Sequence, residues 1–151
     1  MPLRKSADAM VIQVRSAQGV TGWLEDNGVV EANGQVILYK RVSKEFRTQE
    51  GTDYETSWVI GEVKIHPKWN PSADECGPGK FHACSRPYLC DEFRNEDGDR
   101  YIAIEVKTKD LYAWPNAQYP HKIAVRECVV LREVDRWGDP IEDADREEVA
   151  A

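Results

Sequence analysis

Residues 122–134 read KIAVRECVVLREV, the longest strand-like run in the 151-residue chain. Apolar and polar side chains alternate along it with the two-residue period of a half-buried strand. Ile123, Val125, Val129 and Leu131 fall on one face, and Arg126, Cys128, Val130 and Arg132 on the other. Working outward, residues 100–107 alternate in the same way, with Ile102, Ile104 and Val106 inward. Residues 35–42 (QVILYKRV) set Val36, Leu38 and Val42 against Ile37 and Tyr39, with the cations Lys40 and Arg41 near the strand end. Residues 57–66 read as a further strand, in which Gly61 marks a bulge or a close backbone approach. Residues 80–84 are short and extended, and residues 10–14 fit a short first strand.

Helix signals are few. Residues 20–27 fit one or two turns around Trp23 and Leu24, stopped by Asn27-Gly28. A second helix starts with Ser85 as N-cap and Pro87 in the first turn, and runs to about Arg94. The pattern predicts a single α+β domain: a mixed or antiparallel sheet of about five strands with one or two short helices. It divides the chain into a flexible lead over residues 1–9, the domain over 10–138, and an acidic C-terminal tail over 139–151.

Composition narrows the function classes. A net charge of −7 argues against binding along a nucleic-acid backbone and is compatible with a basic partner or simply with solubility. No apolar run approaches the length of a membrane span, and no apolar segment follows the basic residues near Met1. Four cysteines are too few for a secreted disulfide scaffold, so reduced thiols in a cytoplasm are expected.

Chemistry-bearing residues crowd into residues 75–93, ECGPGKFHACSRPYLCDEF. Cys76, His82, Cys84 and Cys90 are ligand types that zinc accepts. Their spacing, C-x5-H-x-C-x5-C, lacks the tight knuckle of a structural zinc site and argues for packing or ligand contact instead. Cys84, near a helix start and two residues from His82, has the ingredients of a nucleophile. The turn Gly77-Pro78-Gly79 would let a ligand approach the backbone, and the helix start after Ser85 would receive an anion.

The order of several segments resembles a family of uncharacterised bacteriophage proteins: Leu38-Tyr39-Lys40-Arg41-Val42, Trp58-Val59-Ile60-Gly61-Glu62, the run from Cys76 to Cys84, Tyr101 to Val106, and Lys122 to Cys128. The same order is distantly similar to the ADP-ribosyltransferase superfamily. Gly77 to Ala83 resembles that family's glycine segment, and Ser85 and Tyr88 resemble its serine-led helix. This resemblance implies an accessory protein of phage type, in the host cytoplasm, that binds NAD or ADP-ribose. Lys40 or Arg41 would neutralise a phosphate, with Gly79, Ser85 and Tyr88 completing the cofactor site. His82 would contact the base or nicotinamide. Lys122 stands where the family keeps its catalytic acid, so Glu127 is the candidate carboxylate that stabilises developing positive charge. The alternative expectation is a non-enzymatic interaction module that engages a host or virion protein through its acidic surface.

Overall fold

The structure, a computed structural model, describes residues 19–142. The lead, the strand expected at 10–14 and the tail beyond Glu142 lie outside the described residues. Helix α1 (Val20–Asp26) is followed by β1 (Gln35–Val42), the two-residue strands β2 (Arg47–Thr48) and β3 (Thr56–Ser57), and β4 (Val63–Ile65). Then come β5 (Phe81–Cys84), a 3-10 helix (Pro87–Glu92), β6 (Arg100–Lys107), a 3-10 turn (Thr108–Asp110), β7 (Leu111–Tyr112), β8 (Lys122–Val125) and β9 (Glu127–Val134). The described residues therefore form an α+β unit whose strand pairs are all antiparallel. Among the described residues there are nine strands rather than about five, seven of them in one sheet.

Two expected long strands are broken. Residues 57–66 divide at the turn around Gly61 (φ 93°), where Glu62 N–H donates to the Val59 carbonyl at 3.1 Å. The run 122–134 divides at Arg126. Its inner face changes there: Ile123 and Val125 are buried before it, Cys128 and Val130 after it. The interval from 125 to 128 is one residue longer than strand alternation allows, so the chain bulges and bends. Cys128 and Val130 were expected opposite Ile123; the extra residue carries them to the same side.

That bend explains the sheet order β4-β9-β6-β1-β5-β8-β7. In a flat sheet β9 and β8 would stand four strand spacings apart, roughly 19 Å. Only Arg126 separates them in sequence, and two Cα steps span at most about 7.6 Å. The sheet must curl until the two meet, so β8 and β9 form one bent strand that closes a ring through β6, β1 and β5. Leu38, Val42, Ile102, Ile104, Ile123, Val125 and Val130 line its inside with no exposed surface. Trp58, also fully buried, fills the same core, its indole N–H donating to Thr48 Oγ1 at 2.9 Å. Helix α1 adds Trp23 and Leu24 to that core.

Candidate functional site

Lys40 and Arg41 are neighbours on β1, so strand alternation sends them to opposite faces. Lys40 lies on the inward face with Leu38 and Val42. Its Nζ donates to the His82 carbonyl at 2.6 Å and lies 4.8 Å from the centre of the Trp58 ring. Burial lowers its pKa.

Arg41 points outward into a knot of carboxylates. Nε donates to Asp99 at 2.8 Å, and Nη1 to Asp91 at 2.5 Å and to Tyr101 Oη at 3.2 Å. Nη2 donates to Asn95 Oδ1 and the Glu96 carbonyl. Arg94 binds Asp99 and Glu50, and Arg136 binds Asp91. Desolvation would lower the Arg41 pKa, but the bonds to Asp91 and Asp99 outweigh it and the pKa is raised. Burial and the bond to Asp91 push Tyr101 up to about 12. Arg41, expected to hold a phosphate, ties the 3-10 helix and the chain that follows it to β1. An open groove of about 540 Å3 lies alongside, lined in part by Asp99, Arg100, Tyr101, Glu133 and Arg136. Both of its arginines are paired, Arg100 with Glu133 and Arg136 with Asp91.

The remaining expected contacts have structural roles as well. Ser85 is buried and its hydroxyl donates to Asn27 Oδ1 at 3.3 Å. The expected α-helix after it is a 3-10 helix whose cap position is Arg86, without a side-chain cap bond, because the chain is still extended at Arg86. Gly79 (φ 94°) lies so close to the preceding loop that an added Cβ would meet the Asn70 carbonyl at 2.8 Å. Its glycine serves chain packing. Tyr88 is partly exposed and tilts against Trp137, with ring centres 5.7 Å apart.

His82 Nε2 lies 3.0 Å from the Glu75 carbonyl, which can only accept, so Nε2 carries the proton. Burial first, then Lys40 and Lys122, lower its pKa to about 3. The ring stacks on Trp114 at 6.2 Å. Opposite His82 in the ladder is Ala124, whereas Glu127 lies beyond the break at Arg126, on β9, where it pairs with Ile65. The two expected catalytic residues thus lie on different strands, with no hydrogen bond between them among the described residues.

Two buried cations were not anticipated. Lys80 donates to the Asp74 carbonyl. Lys122, only 3% exposed, places Nζ 2.8 Å from Cys76 Sγ and 4.8 Å from the ring centres of Phe93 and Tyr119. Nothing in the spacing of residues 76 and 122 announces that meeting. Cys84 and Cys90 are buried and Cys76 is exposed. Among the described residues no group of three or more His, Cys, Asp or Glu side chains is placed to hold a metal ion.

Among the described residues, β4 at one edge of the large sheet also leaves backbone groups free. This strand pairs only with β9, through Val63–Val129, Lys64–Cys128 and Ile65–Glu127. Glu62 O, Lys64 and His66 N face β9. Val63 and Ile65 therefore turn their N–H and C=O groups to the free edge, with no hydrogen-bond partner among the described residues. Their side chains are 54% and 55% exposed. Val63, Val129, Glu105 and Ile37 form one row across four strands of the outer face. Glu105 and Glu127 have no cationic partner among the described residues. No helix of the described residues is long and apolar enough to cross a membrane.

Comparison with protein-family models, curated proteins and solved structures finds no match to this chain.

Proposed function

We propose that this protein is a non-enzymatic interaction module that receives an extended, basic segment of a partner protein along β4. The observation that carries this reading is the unpaired edge at Val63 and Ile65, joined to an exposed apolar row. An added strand would satisfy those backbone groups while its side chains met Val63 and Ile65. Glu127, paired with Ile65 across the β4–β9 ladder and without a cation of its own among the described residues, and a net charge of −7 select a basic segment. The shortness of β4 and the inward side of Lys64, tied to Glu62 at 3.1 Å, restrain indiscriminate pairing. Compared with this edge, the NAD reading has less support, because Arg41 and Ser85 already have internal partners and Lys40 faces the core.

The probe is a short synthetic peptide with valine and lysine in turn at every second position and threonine between them, so that both types share the face towards Val63 and Glu127, titrated into the labelled protein. Amide shifts centred on Val63–Ile65, abolished by Val63→Pro, are expected. Proline there removes an outward N–H and no bond to β9. Shifts elsewhere, or equal binding by a folded Val63→Pro protein, would refute the reading.

A further inference from the structure

We infer that Cys76 and Lys122 form an oxidation-dependent covalent crosslink, a bridge in which one oxygen atom joins the cysteine sulfur to the lysine nitrogen. A separation of 2.8 Å is ordinary for N–H···O and short for the larger sulfur atom. It leaves the two atoms on either side of the position a bridging oxygen would take. Lys122 is held for this approach. Its amine is enclosed by Phe93, Tyr119 and Trp114 and makes no ion pair with a carboxylate among the described residues.

Cys76 is held as well. The Glu75 carboxylate accepts N–H bonds from Gln118 and Tyr119 at 2.9 and 2.8 Å, and the Glu75 carbonyl accepts from His82. The indole of Trp114 donates to the Pro71 carbonyl at 2.8 Å. The loop carrying the thiol is thus fastened to the segment that leads into β8. Cys76 remains exposed to a dissolved oxidant, whereas Cys84, Cys90 and Cys128 are buried.

The oxidant is a peroxide. The thiol takes one oxygen from hydrogen peroxide, becoming a sulfenic acid and releasing water. A second peroxide, reaching the pair from the exposed Cys76 side, gives an oxygen to Lys122 Nζ 2.8 Å from the sulfur; the ammonium proton leaves by the same side, the amine becomes a hydroxylamine and another water is released. The hydroxylamine oxygen then attacks the sulfenic sulfur, whose hydroxyl leaves with a proton as a third water. Sulfur and nitrogen have each lost two electrons, and two peroxides have accepted them. Four thiols of an added reductant reverse the bridge, giving free thiol, free amine, one water and two disulfides.

Peptide mapping of the peroxide-treated full chain tests this without relying on a variant. The expected product joins the peptides containing Cys76 and Lys122, with a gain of one oxygen and a loss of two hydrogens, about 14 Da. Dithiothreitol should remove it, and Cys76→Ser protein should lack it. The treated protein should melt several degrees higher, since the link restricts the unfolded chain. Stepwise oxygen addition confined to Cys76 with Lys122 unmodified, or a Cys76 disulfide between two chains, would overturn the inference.

Discussion

His82 shares its surroundings with Lys40, Lys80 and Lys122, and burial together with these cations holds its pKa at about 3. The unfolded chain would titrate near 6.5. Between those values the unfolded state binds a proton that the native state refuses. The stabilisation is complete above about pH 6.5 and declines as pH falls towards about 3, by up to about 1.4 kcal/mol per pH unit. His66, lowered chiefly by burial, adds to the same trend. Urea unfolding from about pH 7 down to about pH 5, before most carboxylates protonate, should show a falling midpoint. His82→Gln, which keeps a donor for the Glu75 carbonyl, should flatten that slope; an unchanged profile would refute the shift. The sequence marked His82 as special through its crowded neighbourhood. It could not show that distant lysines make it a poor base, because Lys122 is brought beside it only by the β5–β8 pairing.

At the scale of elements, Arg41 joins β1 to the 3-10 helix through Asp91 and to the start of β6 through Asp99, whose side chain is 2% exposed. Removing one member of such a buried pair leaves carboxylates without their counter-charge. Arg41→Ala should lower stability by about 3 kcal/mol in denaturant unfolding. Arg41→Lys should recover only part, since a point charge cannot bridge both carboxylates as the planar guanidinium does. A loss below about 1 kcal/mol would mean that the network behaves as an exposed one. Alternation in residues 35–42 located the strand and its inner face correctly. It also implied that Lys40 and Arg41 diverge, which the search for a shared phosphate site overlooked. The carboxylates that occupy Arg41 lie 50 and 58 residues away, beyond any local pattern.

For the whole molecule, the groups assigned to a nucleotide are dispersed between core, surface knot and loop packing. NAD or ADP-ribose should therefore leave the melting temperature unchanged. A ligand present at 100 times its Kd would add about 2.7 kcal/mol, a rise of several degrees that would restore the nucleotide reading. The α+β character followed from period-two runs and scarce helix signals, which left a mixed or an antiparallel sheet open. The closed ring did not, because closure depends on one residue whose type carries no turn signal. Arg126 is held by its surroundings: its N–H donates to the Asp110 carbonyl and its own carbonyl accepts from His66 N–H, each at 2.8 Å.

Loss of the codon for Arg126 would pass unnoticed by any test of hydrophobic alternation. Ile123, Val125, Cys128 and Val130 would then recur at every second position, a more regular strand than the present one. Yet the shortened segment would have no corner with which to join both margins of the sheet. In this gene the deletion that most improves the pattern is the one that would unmake the enclosure.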